Sequence, residues 1–270
     1  MKIQAVYLSS IALALCLTAC SDDDTQEINV TQPPVENSPL VQTVTQTTNY
    51  GSMESETSVM GFFYDDDSKL IRLETSYMGD EYRSEFEYDG NKVAGVDYFE
   101  NGIADGHTTY VYNGDILQHT LSGTDAIERT TYTYSNGHVS TIKTYYPDGP
   151  DAELLQARTL TYANGNVSEE LRQDYFFGTS TYKSIYTYGS GNNPLRGLNP
   201  YLRLTMSMEG FDGLSVNNPI TKQSVNMATN TVNGQYHYEI VYNTANFPTQ
   251  VKRIDSLSGF VISETIIEYY

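Results

Sequence analysis

The four histidines of this chain are its most obvious candidates for chemistry. His107, His119, His138 and His237 are widely separated, and no pair has the His-Glu-x-x-His spacing of a zinc site. No serine lies in a Gly-x-Ser-x-Gly turn, which would mark a nucleophile. We therefore expect no catalytic residue, no metal site and no cofactor.

Carboxylates are the other abundant reactive groups. The chain has 34 Asp and Glu against 15 Lys and Arg, a formal net charge of −19. Such a charge repels nucleic acid, which we exclude as a partner. Composition alone does not single out a glycosidase-type carboxylate pair, so a glycan-degrading enzyme stays open as an alternative. Asp65-Asp66-Asp67 falls in a predicted hairpin turn, where aspartate is an ordinary turn residue.

Five aromatic residues fall outside the repeat described below. They form either an exposed patch that contacts a ligand or, in the interpretation we favour, a small local core. The ligand of such a patch would be a glycan or another surface protein. These residues are Tyr175, Phe176, Phe177, Tyr182 and Tyr201.

The N-terminus has the features of an export signal. Lys2 supplies the positive start, and an apolar run from Ile11 to Leu17 follows. Leu17-Thr18-Ala19-Cys20 resembles the lipobox of bacterial lipoproteins, in which the cysteine is acylated and becomes the first mature residue. The resemblance implies a signal peptide over residues 1–19 and an outer-membrane lipid anchor at Cys20. The acidic Ser21-Asp22-Asp23-Asp24 is similar to the surface-export signal of Bacteroidetes lipoproteins and implies a cell-surface location.

A flexible tether is predicted to follow the anchor. Residues 20–48 are rich in Thr, Gln, Asn and Pro and show no sustained hydrophobic period. Cys16 leaves with the signal peptide, so no cysteine remains in the folded part. Thiolate metal sites and cysteine nucleophiles are thereby excluded.

A short phrase recurs along residues 49–270, in which a large apolar residue, any residue and a tyrosine precede a turn. The closing tyrosines are 24, 24, 22, 28, 26, 54 and 27 residues apart, and 54 is two periods. A fixed period in this range indicates an array of one supersecondary unit. The closing tyrosines are Tyr64, Tyr88, Tyr112, Tyr134, Tyr162, Tyr188, Tyr242 and Tyr269.

Each repeat predicts a β-hairpin. Alternation places Tyr132 and Tyr134 on one face of a strand, and Asn136-Gly137 is a strong hairpin turn signal. Asn164-Gly165 repeats this turn, with Asp89-Gly90 and Asn113-Gly114 as equivalents. Apolar residues three places apart often follow the turn, as in Val93/Val96, Val139/Ile142 and Val251/Ile254. Because a spacing of three residues is out of phase with the two-residue side-chain period of a strand, we expect either a bulge or one residue on each face.

One stretch breaks the array. Residues 189–218 carry three Asn-Pro pairs and frequent glycine, which favour loop or edge structure. We predict an irregular insertion that plugs or covers a lumen, although a decayed repeat would give the same pattern. No segment predicts a long helix; residues 151–158 have some helical character, but an irregular hairpin loop explains them equally.

The tyrosine–turn–valine phrase resembles the YD repeats of RHS-type bacterial shell proteins, in which hairpins build a curling sheet. The glycine-arginine-leucine ending of those repeats is replaced here by Gly137-His138-Val139 and Gly165-Asn166-Val167. The chain also resembles a group of Bacteroidetes lipoproteins that combine a lipobox, an acidic start and such hairpins. That resemblance implies a porin-like fold and brings no catalytic residues.

The sequence therefore predicts an all-β fold, an antiparallel meander of about eight repeated hairpins. The meander forms either a curled open sheet or a water-soluble barrel with its tyrosines inward. A membrane-spanning barrel is disfavoured because Thr and Glu occupy the face opposite the tyrosines. The function expected is a binding or structural surface module, with a glycan-degrading enzyme or an enclosing shell as alternatives.

Overall fold

The computed structural model describes residues 38–49, 51, 54–123, 127–176, 178–208 and 211–270. The signal peptide, Cys20 and most of the predicted tether lie outside these residues. Within them, eighteen strands and two short helices form. The strands are β1 (Val41–Thr48), β2 (Glu56–Tyr64), β3 (Leu70–Tyr77), β4 (Asp80–Asp89), β5 (Lys92–Glu100), β6 (Ile103–Asn113), β7 (Ile116–Ser122), β8 (Glu128–Ser135), β9 (His138–Tyr146), β10 (Glu153–Ala163), β11 (Asn166–Asp174), β12 (Ser180–Asn192), β13 (Ser207–Met208), β14 (Phe211–Asp212), β15 (Asn217–Asn226), β16 (Thr231–Tyr242), β17 (Pro248–Asp255) and β18 (Val261–Tyr269).

The described strands close into an antiparallel barrel of sixteen strands, with β13 and β14 forming a separate small sheet. Neighbours in the barrel are neighbours in the chain, except that β12 pairs with β15 and β1 pairs with β18. The all-β meander of hairpins is confirmed, and of the two predicted forms the structure is the barrel. A 3-10 helix (Pro194–Gly197) and helix α1 (Pro200–Thr205) lie between β12 and β13.

The strand that closes the barrel begins inside the predicted tether, so the predicted boundary at residue 48 is wrong. β1 pairs with β18 through Val44↔Ile267 and with β2 through Val44↔Met60. Only Val41 and Val44 of this strand are fully buried, and the rest is Thr and Gln. A strand with so few apolar residues has a linker-like composition, and one of its partners lies at the far end of the chain.

Seven of the eight closing tyrosines lie at a bulge, which is one of the two predicted options. The register shifts between Glu87 and Tyr88, and corresponding shifts occur at Tyr64, Tyr112, Tyr134, Tyr162, Tyr188 and Tyr242. The bulge lets Val93 and Val96 both enter the core despite their spacing of three. Val251 and Ile254 follow the other predicted option, because Ile254 pairs with outward His237.

The closing tyrosines supply a hydrogen bond that the bulges remove from the sheet. The ladder between β3 and β4 ends at Arg72↔Glu85, so Leu70 has no partner on β4. The Tyr88 hydroxyl donates to the Leu70 carbonyl instead, at 2.9 Å. Four other tyrosines repeat this contact with the preceding hairpin at 2.8–2.9 Å, and these pairs are Tyr112 to Val93, Tyr134 to Leu117, Tyr188 to Val167 and Tyr269 to Pro248.

Two-residue turns join most hairpins at the end of the barrel where these tyrosines lie, called here the tyrosine end. Asn136 and Gly137 both have positive φ, as do Asn164 and Gly165, as the sequence predicts. The two predicted equivalents are shifted by one residue, because the loops are Gly90-Asn91 and Gly114-Asp115. At Asp65, the carboxylate accepts from the backbone N–H of Asp67 and Lys69, which is a turn-forming role. Residues 151–158, which had some helical character, form a turn and the start of β10.

Replacing one closing tyrosine by phenylalanine should destabilise the barrel. Tyr134→Phe leaves the Leu117 carbonyl without its hydroxyl donor, so the free energy of unfolding should fall by about 1–2 kcal/mol. Urea unfolding followed by circular dichroism measures this change. Tyr145→Phe is the matched control, since Tyr145 lies on the outer wall beneath Arg129, and it should change stability by less than about 0.5 kcal/mol. Equal effects of the two variants would contradict the role of the hydroxyl.

The barrel should lose stability steeply in alkaline solution. Burial raises the pKa of seven phenols above the ordinary value, namely Tyr64, Tyr88, Tyr110, Tyr112, Tyr132, Tyr134 and Tyr269. Above a pH of about 10 the unfolded chain releases protons that the folded chain retains, so stability is intact below that pH and falls above it. Ultraviolet absorbance of phenolate should therefore rise together with loss of the β-sheet circular dichroism signal. Ionisation of these tyrosines near pH 10 with the sheet intact would contradict their burial.

Candidate functional site

The interior of the barrel differs between its two ends. Toward the tyrosine end the inward residues are apolar and fully buried, as Phe62, Val93 and Leu117 illustrate. Toward the opposite end, called here the mouth, inward positions carry polar side chains such as Glu100 and Tyr82, both of them exposed. The lumen is thus packed at one end and accessible at the other.

Part of the insertion between β12 and β15 packs into the lumen at the tyrosine end. Leu195 and Leu202 in its two helices are 0% exposed and belong to the main core. We call residues 193–206 the plug. The Tyr110 hydroxyl lies 2.8 Å from Thr205 Oγ1, and the Asn199 side chain donates to the Asn91 carbonyl at 3.0 Å. A barrel of sixteen strands would otherwise enclose an open channel.

The two plug helices were not predicted, although their signals are in the sequence. Asn193 and Asn199 each precede a proline, and each side chain accepts from the backbone N–H two residues later. Asparagine at the N-cap followed by proline at the first helical position is a favoured helix start. In the sequence these Asn-Pro pairs indicated loop or edge structure, because each helix is too short to show an amphipathic period.

Of the five predicted patch residues, the four in the described part of the chain do not all come together. Tyr175, Phe176 and Tyr182 lie at the mouth, while Phe177 lies outside the described residues. Tyr201 lies in the plug at the opposite end, where it is 4% exposed and its hydroxyl donates to the Asp115 carbonyl. Whether the mouth members bind a ligand stays a prediction, but Tyr201 is part of the core.

A pocket of about 770 Å³ opens at the mouth. It lies where β8 to β12 meet Phe176, Gly178 and Thr179, which lie between β11 and β12. This volume is within the range of small-molecule sites, roughly 300–1,000 Å³. We call it the mouth pocket; its principal lining residues are Glu128, Gln156, Arg172, Asp174, Phe176 and Tyr182.

One carboxylate of the mouth pocket is held in place by its neighbours. Asp174 Oδ1 accepts from Gln156 Nε2 and from Arg172 Nε, both at 2.9 Å. Deeper in the lumen, Arg158 Nε donates to Glu170 Oε1 at 2.6 Å. These charged residues face inward because strand alternation puts Gln156, Arg158 and Leu160 on the same side of β10.

Two other groups of the mouth pocket have no protein partner. Among the described residues, the Glu128 carboxylate makes no ion pair or hydrogen bond, and neither does the Tyr182 hydroxyl. Burial raises the pKa of Glu128 above its ordinary value. Unpartnered polar groups at a pocket wall are available to a ligand.

The histidines have ordinary surroundings in the described residues. His107 Nδ1 lies 2.7 Å from Asp97 Oδ1 on the outer wall, and His138 stacks on Tyr162 with ring centroids 4.6 Å apart. No group of three His, Cys, Asp or Glu side chains in the described part of the chain is arranged to hold a metal ion. Among these residues no helix has the length and apolarity to cross a membrane.

Two solved structures share this fold across nearly their full length. A porin-like protein from Bacteroides vulgatus matches 86% of this chain and 99% of its own, with a TM-score of 0.51 and 15% identity. A porin-like protein from Bacteroides uniformis matches 85% and 98%, with a TM-score of 0.57 and 11% identity. At such identities the likeness shows the porin-like fold alone.

The other comparisons with known proteins give no information about function. No family model matches the sequence, and no curated protein matches it either. Two toxin-complex structures match with TM-scores of 0.29 and 0.19, which are too low to bear on fold or function. The resemblance to YD repeats therefore stays a prediction.

Proposed function

We propose that this protein is a cell-surface binding module, anchored to the outer membrane at Cys20, that takes a small ligand into its mouth pocket. The observation that carries the proposal is the asymmetry of the barrel. A pocket of about 770 Å³ opens at the mouth, while the plug fills the other end. A lumen that is closed at one end serves to hold a ligand rather than to conduct one.

The positions of the chain ends support an outward-facing mouth. β1 begins at Val41 beside Tyr269, so both ends of the barrel chain lie at the tyrosine end. An anchor at Cys20 is 21 residues from Val41, and a tether of the kind predicted from the sequence would reach about 25 Å. Anchoring would thus hold the plugged end near the membrane and direct the mouth pocket away from it.

The outer wall of the barrel supports a position outside the bilayer. It carries the ion pairs Arg72–Glu74, Arg83–Glu85 and Lys183–Glu169. A wall that faces lipid needs an apolar band about 25 Å tall, in which such charges are destabilising. We propose that this wall faces water and that the lipid anchor alone attaches the protein.

Binding is better supported than hydrolysis. Glu128 lies on β8 and Asp174 on β11, three strand spacings or about 14 Å apart along the wall. Glycosidases hold their two carboxyl groups about 5–9.5 Å apart. Asp174 is also engaged by Gln156 and Arg172. An enclosing shell is less supported too, because the mouth pocket is too small for a folded partner.

Filling the mouth pocket should abolish ligand binding. Ser180 pairs with Asp174 and lines the pocket, so Ser180→Trp places a large ring within it. The measurement is saturation-transfer NMR with a panel of neutral trisaccharides, tripeptides and medium-chain fatty acids. We expect at least one class to bind the wild-type protein and to lose at least tenfold in affinity with Ser180→Trp. Ser76→Trp on the exposed outer wall is the control and should bind normally. Binding that survives Ser180→Trp would place the site elsewhere.

The orientation can be measured with single-cysteine variants. Asp115 lies in a turn at the tyrosine end and Leu257 in a turn at the mouth, and both side chains are exposed, by 91% and 83%. In lipid vesicles that contain an acceptor dye, a donor at Asp115→Cys of the acylated protein should transfer energy more efficiently than one at Leu257→Cys. Cys20→Ala should abolish vesicle association. Stronger transfer from position 257 would reverse the proposed orientation.

A further inference from the structure

We infer that the mouth pocket binds one end of a neutral oligosaccharide, with one sugar ring on Phe176, hydroxyls of that ring on Asp174 and Arg172, and hydroxyls of a neighbouring ring on Glu128. This inference rests on the proposed binding function and assigns its ligand class.

The polar lining of the mouth pocket matches hydroxyl groups. Glu128 and Asp174 only accept hydrogen bonds when ionised, Arg172 only donates, and Gln156 and Tyr182 can do both. A sugar hydroxyl donates one hydrogen bond and accepts others, so neighbouring hydroxyls are satisfied by alternating acceptors and donors. Peptide groups have no comparable density of paired donors and acceptors.

Asp174 is positioned to receive such hydroxyls. Its Oδ1 is fixed by Gln156 and Arg172, while its Oδ2 has no partner among the described residues. A carboxylate held in one orientation loses little conformational entropy when a ligand binds. The Arg172 side chain is 51% exposed, so it can also donate to a ligand in the pocket.

The same ligand would give hydrogen-bond partners to two polar groups of the pocket. Glu128 and Tyr182 have no hydrogen-bonding partner among the described residues. Partial burial of the Glu128 carboxylate disfavours its charged form and raises its pKa. Ligand hydroxyls would satisfy both groups without introducing a charge.

Phe176 supplies an apolar surface for the carbon face of a sugar. It is 65% exposed, on the loop that borders the pocket. The face of an aromatic ring is electron-rich and attracts the C–H bonds of a pyranose face. A large exposed aromatic ring beside a polar pocket is typical of a binding surface rather than of a core.

The remaining ligand classes fit less well. Glu128 and Asp174 outnumber Arg172, so an anionic ligand would be repelled. An acyl chain would find apolar contact only with Phe176, Leu155 and the ring of Tyr182. A polyamine would be attracted by the two carboxylates but would leave the donors of Arg172 and Gln156 unsatisfied.

The test is titration calorimetry and saturation-transfer NMR on the full mature protein. The probes are maltotriose, cellotriose, mannotriose and chitotriose, with trigalacturonate, spermidine and decanoate as the contrasting classes. We expect a neutral trisaccharide to bind, and Phe176→Ala to weaken it at least tenfold while Phe176→Tyr retains it. Phe260→Ala is the matched control, because Phe260 is 40% exposed in a different mouth turn, and it should bind as the wild type does.

A second pair of variants tests the polar half of the site. Asp174→Asn should weaken the trisaccharide at least tenfold, whereas Asp148→Asn, on the outer-wall pair with Arg129, should leave it unchanged. Binding of spermidine, trigalacturonate or decanoate instead, sensitive to Ser180→Trp, would overturn the sugar assignment and leave the binding function standing. Trisaccharide affinity that is unchanged by Phe176→Ala would also overturn the sugar assignment. If none of the ligand classes binds, both proposals are overturned.

Discussion

The hydrogen bond that five of the eight closing tyrosines donate to the preceding hairpin is the interaction on which this barrel depends. A bulge ends the ladder early, so the carbonyl of residues such as Leu70 and Val93 has no strand partner, and the next hairpin's tyrosine donates to it. Because an unsatisfied buried carbonyl costs about 1–3 kcal/mol, phenylalanine could not replace tyrosine without loss. In these five repeats the bulge and the hydroxyl occur together, and this explains why the motif ends in tyrosine there.

The same interaction makes the two ends of the barrel different. The bulges that accompany the closing tyrosines fall at one end, where rings such as Tyr88 and Tyr112 point inward against the core. The inward rings still leave space in a sixteen-stranded barrel, and the plug fills it with Leu195 and Leu202. The described part of the mouth has no such row of closing tyrosines and no plug, and inward positions there are polar and accessible to a ligand.

Much of the fold is predictable from the sequence because the signals that set it are local. Asn136-Gly137 fixes a two-residue turn, and Val93/Val96 reveals a bulge by its phase alone. Closure was not predictable, since β1 has only Val41 and Val44 as apolar signals and pairs with β18 at the other end of the chain. The patch prediction grouped Tyr175 and Tyr201 by nearness in the sequence, whereas the meander places them at opposite ends of the barrel.

The mouth pocket was not predicted because its strands lack the apolar alternation of a half-buried strand at that end. The lumen opens to solvent at the mouth, and the inward residues Gln156, Arg158 and Glu170 are polar or charged, which removes the apolar alternation expected of a half-buried strand. Further along β10, the inward residues Leu160 and Tyr162 pack in or against the core, and the apolar alternation returns. A strand whose inward positions change from charged to apolar along its length thus indicates a lumen open at one end, and the charged segments of neighbouring strands locate the site.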